Sequence, residues 1–179
     1  MHISPINKTQ EANTNFKKLK MNHYAHDYVK TISEKDRKLI QSWKKELANT
    51  KYFDILVSCD YKHHLTTFLY KKDSEDLIGI GPIEVINQEK NNLEIVIKVD
   101  KDSNSCKKNH YMMLQFPSKE KANQAKEKMS YWNNQYSTQF NVNQIGRAVS
   151  AVQVLEEAKK YENLSTWDKI KVKLGFKKI

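Results

Sequence analysis

The sequence has no stretch that is long and apolar enough to span a membrane. A membrane-spanning helix needs roughly 18 or more consecutive apolar residues, and no window of the 179 residues approaches that length. The first residues also lack the charged region and the apolar region of a secretory signal. These absences predict a cytoplasmic protein.

Cysteine and glycine are both scarce, which excludes several kinds of site. Cys59 and Cys106 lie far apart and form no C-x-x-C pair, so neither a disulfide framework nor a zinc site is indicated. Gly79 and Gly81 lack the third glycine of a dinucleotide-binding fingerprint, and no P-loop follows them. The G-x-S-x-G, H-E-x-x-H and kinase motifs are absent as well. The sequence therefore predicts no cofactor.

Positive charge, by contrast, is abundant. The formal net charge is +10, and residues 51–100 are mildly acidic while the segments on both sides are basic. A basic surface attracts nucleic acid, anionic lipid or an acidic protein, although surface lysines can also serve solubility alone. The richness in Asn and Lys is typical of a bacterial chain.

Hydrophobic periodicity predicts an α+β protein. Ser33 and Asp36 form a capping box at the start of an N-terminal helix over residues 34–49. Residues 52–116 then contain several runs in which apolar and polar residues alternate, which predicts an antiparallel sheet of about five to six strands. Two helices follow the sheet. Because the strands precede these helices rather than alternating with them, the pattern is that of the α+β class.

The length fits a single domain with extensions. We interpret residues 1–32 as an extended or partly helical tail, because they contain no sustained hydrophobic period. Residues 33–161 form the single α+β domain. Residues 162–179 form a basic amphipathic C-terminal segment.

The C-terminal segment fits two patterns. Ser165 and Asp168 form a second capping box, and Gly175 stands where a left-handed residue would end a helix. On the other hand, apolar residues alternate strictly with Lys169, Lys171 and neighbouring residues, as in a strand. We favour a helix because the sequence contains signals for both of its ends.

This segment also carries the main functional hypothesis. Its apolar side chains would enter a membrane interface while its lysines meet anionic head groups. The predicted residues for binding an anionic surface are Trp167, Lys169, Ile170, Lys171, Lys173, Leu174, Phe176, Lys177 and Lys178. In the competing interpretation the segment packs on the sheet as a further core element, since Trp at helical spacing is usually buried. We therefore expect a non-enzymatic binding or accessory protein, cytoplasmic and membrane-peripheral, that contacts an anionic membrane surface or an acidic protein.

Nucleic-acid binding is the first alternative function. It would use the basic flanking helices, with tyrosine or histidine side chains for base stacking. The basic residues near the start of the chain are Lys17, Lys18, Lys20, Arg37, Lys38, Lys44 and Lys45. No RNP, KH or helix-turn-helix signature accompanies them.

A small hydrolase or metal-dependent enzyme is the second alternative. Cys59, Asp60, His63 and His64 lie at the first predicted hairpin, and a thiolate near an imidazole and a carboxylate can act as a nucleophile. The histidines, with His110, could also bind zinc. However, strand parity places Cys59 on the apolar face, where it would behave as a buried hydrophobic residue. We therefore predict no catalytic residue and no metal site here.

Overall fold

The computed structural model describes residues 19–62, 64–74, 76–98, 109–133 and 140–178. Within these ranges the chain forms five α-helices and seven β-strands, and the strands are divided between two sheets. The predicted α+β class is confirmed. The prediction of one sheet is wrong, because there are two, and two further elements precede the predicted N-terminal helix.

Two elements come before the predicted N-terminal helix, within the stretch that we interpreted as an extended or partly helical tail. They are β1 (Leu19–Met21), which pairs in parallel with the strand that ends at Cys59, and α1 (His23–Thr31). Asn22 caps α1, because its Oδ1 accepts the N–H of Ala25 at 2.9 Å. The same side chain donates to the carbonyl of Cys59 at 2.8 Å and accepts its N–H at 3.1 Å. One asparagine thus begins the helix and ties it to the sheet.

The predicted N-terminal helix is in fact the second helix, α2 (Glu34–Glu46), and it continues into a 3₁₀ turn, Leu47–Asn49. Ser33 is its N-cap and accepts the N–H of Asp36 at 3.2 Å. This confirms the Ser33 cap, the signal that located the start of the helix. Trp43 is buried and joins the core.

The remaining strands are β2 (Phe53–Cys59), β3 (Leu65–Lys71), β4 (Asp76–Gly79), β5 (Ile83–Glu89), β6 (Asn92–Ile97) and β7 (His110–Gln115). They do not form the predicted single sheet of five to six strands. A four-stranded sheet has the order β1-β2-β3-β4, and a three-stranded sheet has the order β5-β6-β7. Apart from the parallel pair β1-β2, the described strands pair antiparallel.

The chain passes from one sheet to the other between β4 and β5. The N–H of Ile80 donates to the carbonyl of Thr67, in β3, at 2.9 Å. The next N–H, that of Gly81, donates instead to the carbonyl of Lys98, just after β6, at 3.0 Å. The partner strand therefore changes within one residue. Glycines such as Gly79 and Gly81 are typical of a bend or bulge in a sheet, but strand alternation alone does not reveal that the bend divides the sheet.

Three helices follow the sheets: α3 (Lys119–Asn133), α4 (Phe140–Glu162) and α5 (Thr166–Lys173). The central one, α4, packs against β2, β3 and β7 and against α2 and α3. It is buried around most of its circumference, from Val142 to Tyr161. A helix that is apolar on all sides belongs in a protein interior, so α4 forms the centre of the core.

One carboxylate on α4 is buried and holds the start of β2. Oε1 of Glu156 accepts the N–H groups of Tyr52 and Phe53, the latter at 2.8 Å, and Oε2 accepts the N–H of Lys51 at 2.9 Å. A buried carboxylate requires such partners. Glu156 therefore joins the first residue of β2 and the two residues before it to the central helix.

Candidate functional site

The start of α5 is formed as the sequence predicts. Ser165 is the N-cap, and its hydroxyl oxygen accepts the N–H of Asp168 at 3.1 Å. Its carbonyl accepts the N–H of Lys169 at 2.9 Å. The first of these bonds satisfies an amide of the first turn that has no partner within the helix, and the second is the first regular bond of the helix itself. The segment is a helix, and the alternative prediction of a strand is wrong.

The end of α5 is equally well defined. Gly175 has φ of +77°, a left-handed conformation in which glycine has no steric penalty. Its N–H donates to the carbonyl of Val172 at 3.1 Å, and the N–H of Phe176 donates to that of Lys171 at 2.8 Å. This is the Schellman arrangement. A short helix of eight residues thus has both ends fixed by hydrogen bonds.

Two apolar side chains of α5, and that of its C-cap residue Leu174, are exposed to solvent. Trp167, Ile170 and Leu174 follow the i, i+3, i+7 spacing that places residues on one helical face. Trp167 is 65% exposed and Leu174 is 64% exposed, and no residue of α5 is buried. Phe176, just beyond the helix, is also exposed. We call Trp167, Ile170, Leu174 and Phe176 the apolar face.

The lysines of the segment are divided between two sides of α5. Nζ of Lys171 lies 5.7 Å from the centroid of the Trp167 ring, at the border of the apolar face. Lys173 and Lys178 are exposed. Nζ of Lys169 instead lies 5.5 Å from the ring of the buried Tyr161, on the side of the helix that faces the domain. Of the predicted lysines, Lys169 is therefore the least suited to contact a flat surface.

An ion pair closes the C-terminal turn back onto the helix. Nζ of Lys177 lies 2.9 Å from Oδ1 of Asp168. The hydrogen bond from Lys177 is the main cause that lowers the pKa of Asp168, and the charge of Lys177 and the hydrogen bond with Ser165 add to it. Asp168 is thus charged at neutral pH and neutralises one lysine of the segment.

A basic cleft of about 520 Å³ lies between α5 and the start of α3. Its charged side chains are Lys121, Lys173, Lys177, Lys178 and a single acid, Glu157. Glu157 forms an ion pair with Lys121 at 3.4 Å. When Asp168 is also counted, four lysines face two carboxylates, so this side of α5 keeps an excess of positive charge.

Sequence reasoning did not find Lys121 or Ser118, which line the cleft from the start of α3. Lys121 precedes α5 by more than forty residues, and helical spacing relates only residues within a few turns. The tertiary fold places both segments around one cleft. No local pattern could have indicated this.

Cys59, the centre of the predicted enzymatic alternative, is buried. Its side chain lies on the inner face of β2 and is 2% exposed, as strand parity predicts. Burial is the main cause that raises the pKa of the Cys59 thiol, and the charge of Asp60 raises it further. A reactive cysteine needs the opposite environment, one that favours the thiolate.

Asp60 and His64 stabilise the β2-β3 turn. Oδ1 of Asp60 accepts the N–H groups of His64 at 2.9 Å and Lys62 at 2.8 Å, and its Oδ2 lies 3.2 Å from Nδ1 of His64. The hydrogen bond from the His64 backbone is the main cause that lowers the pKa of Asp60. His63 lies outside the described residues, and His110 is in β7 of the other sheet.

A metal site finds no support in the part of the chain that the structure describes. Within it, no group of three or more His, Cys, Asp or Glu side chains is placed to hold an ion. The arrangement at the first hairpin is therefore that of a hydrogen-bonded turn.

The basic residues proposed for nucleic-acid binding are interspersed with acids. α2 and α3 lie on either side of a groove whose floor is α4, and the groove is lined by Glu46 and Glu127 as well as Lys128. Lys38 forms an ion pair with Glu34 at 2.8 Å, and Arg37 donates to a backbone carbonyl. Lys17 and Lys18 lie outside the described residues. A continuous basic track, which binding to a phosphate backbone would require, is not seen on these helices.

Among the described helices, none has the length and the apolar composition that crossing a bilayer requires.

Comparison with known proteins supplies no family for the chain. No protein-family model, no curated protein and no solved structure matches it. Its function therefore has to be inferred from the geometry described above.

Proposed function

We propose that this protein is a non-enzymatic accessory protein that binds an anionic membrane surface through α5 and the residues that follow it. One observation carries the proposal: the apolar face of α5 is exposed on a helix whose two ends are fixed. A core helix would bury such a face. An interfacial helix instead leaves it free for the boundary between head groups and acyl chains.

The composition of the face suits a bilayer better than it suits other polyanions. Trp167 is the residue type that is enriched at membrane interfaces, because its ring is apolar and its N–H is polar. Ile170 and Leu174 offer nothing to a nucleic-acid backbone, but they gain free energy when acyl chains cover them. The neighbouring lysines add about 1 kcal/mol each near an anionic surface.

The basic cleft supports the same orientation. Lys173 and Lys178 line it and are exposed. They lie next to the apolar face and would approach lipid head groups when that face is inserted. Hydrophobic contact and electrostatic attraction would thus act together, since the strength of interfacial binding depends on the apolar area that is buried and on the attraction to anionic lipids.

Sedimentation with lipid vesicles tests this function. The full-length protein is mixed with vesicles of neutral lipid, or with vesicles that also contain an acidic lipid, at low and at high salt. We expect the protein to pellet with the acidic vesicles at low salt and to be released in part at high salt, because salt screens the lysines. Equal pelleting with both vesicle types would contradict a role for the lysines, and no pelleting with either would refute the function.

A further inference from the structure

We propose that the basic cleft beside α5 binds a ligand that carries a phosphate monoester group, as a small soluble compound or as the head group of a lipid. This inference goes beyond the proposed function, which needs only a general attraction between lysines and an anionic surface. A soluble phosphate compound therefore tests it without a membrane. The inference rests on the local charge of the cleft, on open backbone amides at its rim and on the kinds of side chain that line it.

Two of the four lysines that line the cleft already have carboxylate partners. Lys121 of α3 pairs with Glu157 at 3.4 Å, and Lys177 pairs with Asp168 at 2.9 Å. Each pair is close to neutral and adds little net attraction for a ligand. The charge that attracts an anion must therefore come from the other two lysines.

Lys173 and Lys178 supply that charge. Lys173 ends α5, and Lys178 lies beyond the turn at Gly175. Both line the cleft and are exposed, and within the described residues neither forms an ion pair. Because the two existing pairs cancel, the cleft keeps a charge of +2. A phosphate monoester carries about −1.5 to −2 at neutral pH and matches this charge, whereas a phosphodiester, which has one ionisable oxygen, matches about half of it.

Open backbone amides lie at the rim of the cleft, at the start of α3. Ser118 caps this helix, since its hydroxyl oxygen accepts the N–H of Lys121 at 3.2 Å and its carbonyl accepts that of Ala122 at 3.1 Å. The N–H groups of Lys119 and Glu120 have no acceptor in the part of the chain that the structure describes. They lie between Ser118 and Lys121, which both line the cleft. Such amides suit an anion with several acceptor oxygens, and they add to the two unpaired lysines.

The side chains that line the cleft favour a phosphate group over a nucleotide base or a peptide. None of the described residues that line it is aromatic, so a base has no ring on which to stack. Its apolar side chains are those of Pro117 and Val172, whereas a protein partner usually needs a pocket for a large apolar anchor. The volume of about 520 Å³ is in the range of sites for small ligands.

NMR titration of the full-length chain in phosphate-free buffer tests the site. The probes are methyl phosphate, a monoester, and dimethyl phosphate, a diester. We expect methyl phosphate to shift the amide signals of Lys119 and Glu120 until the site is saturated, and dimethyl phosphate to bind severalfold more weakly because it carries less charge. The double variant Lys173→Gln with Lys178→Gln should bind methyl phosphate roughly tenfold more weakly, because it loses two charge-assisted hydrogen bonds.

The matched control is Lys35→Gln with Lys45→Gln, which removes the same charge from α2. These two lysines are exposed, form no ion pair among the described residues and do not line the cleft. The control should bind methyl phosphate as the wild type does. The proposal fails if the amides at the start of α3 show no saturable shift, if the two probes bind equally well, or if the two double variants lose the same affinity.

Vesicles distinguish the two sources of the phosphate group. Phosphatidic acid has a phosphate monoester head group and phosphatidylglycerol is a phosphodiester, and vesicles of the two are compared at equal surface potential. A preference for phosphatidic acid that the cleft variant loses and the control keeps would identify a lipid head group as the ligand. Equal binding to both vesicles, with methyl phosphate still bound in the cleft, would identify a soluble ligand. Failure to bind either vesicle would refute the proposed function, while the NMR titration would still decide whether the cleft is a phosphate site.

Discussion

Glu156→Ala should lower the free energy of unfolding by about 4 kcal/mol, because three amides at the start of β2 lose their acceptor. The N–H of Phe53 is buried, and a buried N–H left without a partner costs about 1 to 3 kcal/mol. The N–H groups of Lys51 and Tyr52 are partly buried and add less each, and the helix also loses its attachment to the first sheet. Since small proteins are stable by only about 5 to 15 kcal/mol, this single change should bring the chain close to unfolding. Urea denaturation followed by circular dichroism measures the effect.

Two further variants separate the role of the carboxylate from that of the helix. Glu156→Gln keeps one oxygen for Tyr52 and Phe53 but turns an N–H₂ group towards Lys51, so we expect a smaller loss of about 2 kcal/mol. Glu162→Ala, at an exposed glutamate of the same helix, should change stability by less than about 0.5 kcal/mol. Equal losses in Glu156→Ala and Glu162→Ala would contradict the anchoring role.

Replacing both Trp167 and Leu174 by serine should weaken binding to acidic vesicles by about a hundredfold. Full burial of such side chains is worth about 1.5 to 3 kcal/mol each, and because an interface buries them only in part we expect a combined loss of about 3 kcal/mol. A difference of 1.4 kcal/mol corresponds to about tenfold in affinity. Sedimentation over a range of lipid concentrations gives the ratio.

The control for this variant removes exposed apolar side chains elsewhere. Tyr61→Ser with Ile86→Ser changes two residues that are comparably exposed but lie in the β2-β3 turn and in β5. We expect it to bind vesicles as the wild type does. Both double variants should keep the wild-type urea midpoint, because exposed side chains contribute little to stability. If the two variants lost binding equally, the apolar face would not be the site of contact.

Local signals in the sequence were sufficient to predict α5. Ser165 and Gly175 mark its two ends, and both form the predicted hydrogen bonds. The helical period also identified Trp167, Ile170 and Leu174 as one face. Periodicity could not decide whether that face is buried or exposed, because the same pattern suits a core helix and an interfacial one. Only the packing of the whole chain decides it.

Features that depend on contacts between distant segments could not be predicted from the sequence. The division into two sheets results from a change of hydrogen-bond partner between Ile80 and Gly81, and both residues belong to one apolar run. β1 is too short to show alternation and is held by Asn22, whose partner Cys59 is 37 positions away. Likewise, nothing local indicated that Glu156 would be buried, since glutamate on a helix is usually exposed.

The most direct test of membrane contact by α5 is quenching of tryptophan fluorescence by brominated lipid in acidic vesicles. The parent protein for this test carries Trp132→Phe, because the sequence has a third tryptophan at that position. Trp43 is buried in the core, whereas Trp167 should lie among the acyl chains and be quenched on binding. We predict that full-length protein loses fluorescence when brominated lipid replaces ordinary lipid, and that Trp167→Phe removes this loss. Quenching that persists when Trp167→Phe is added to this parent, or vesicle binding without quenching in the parent, would contradict membrane contact by α5.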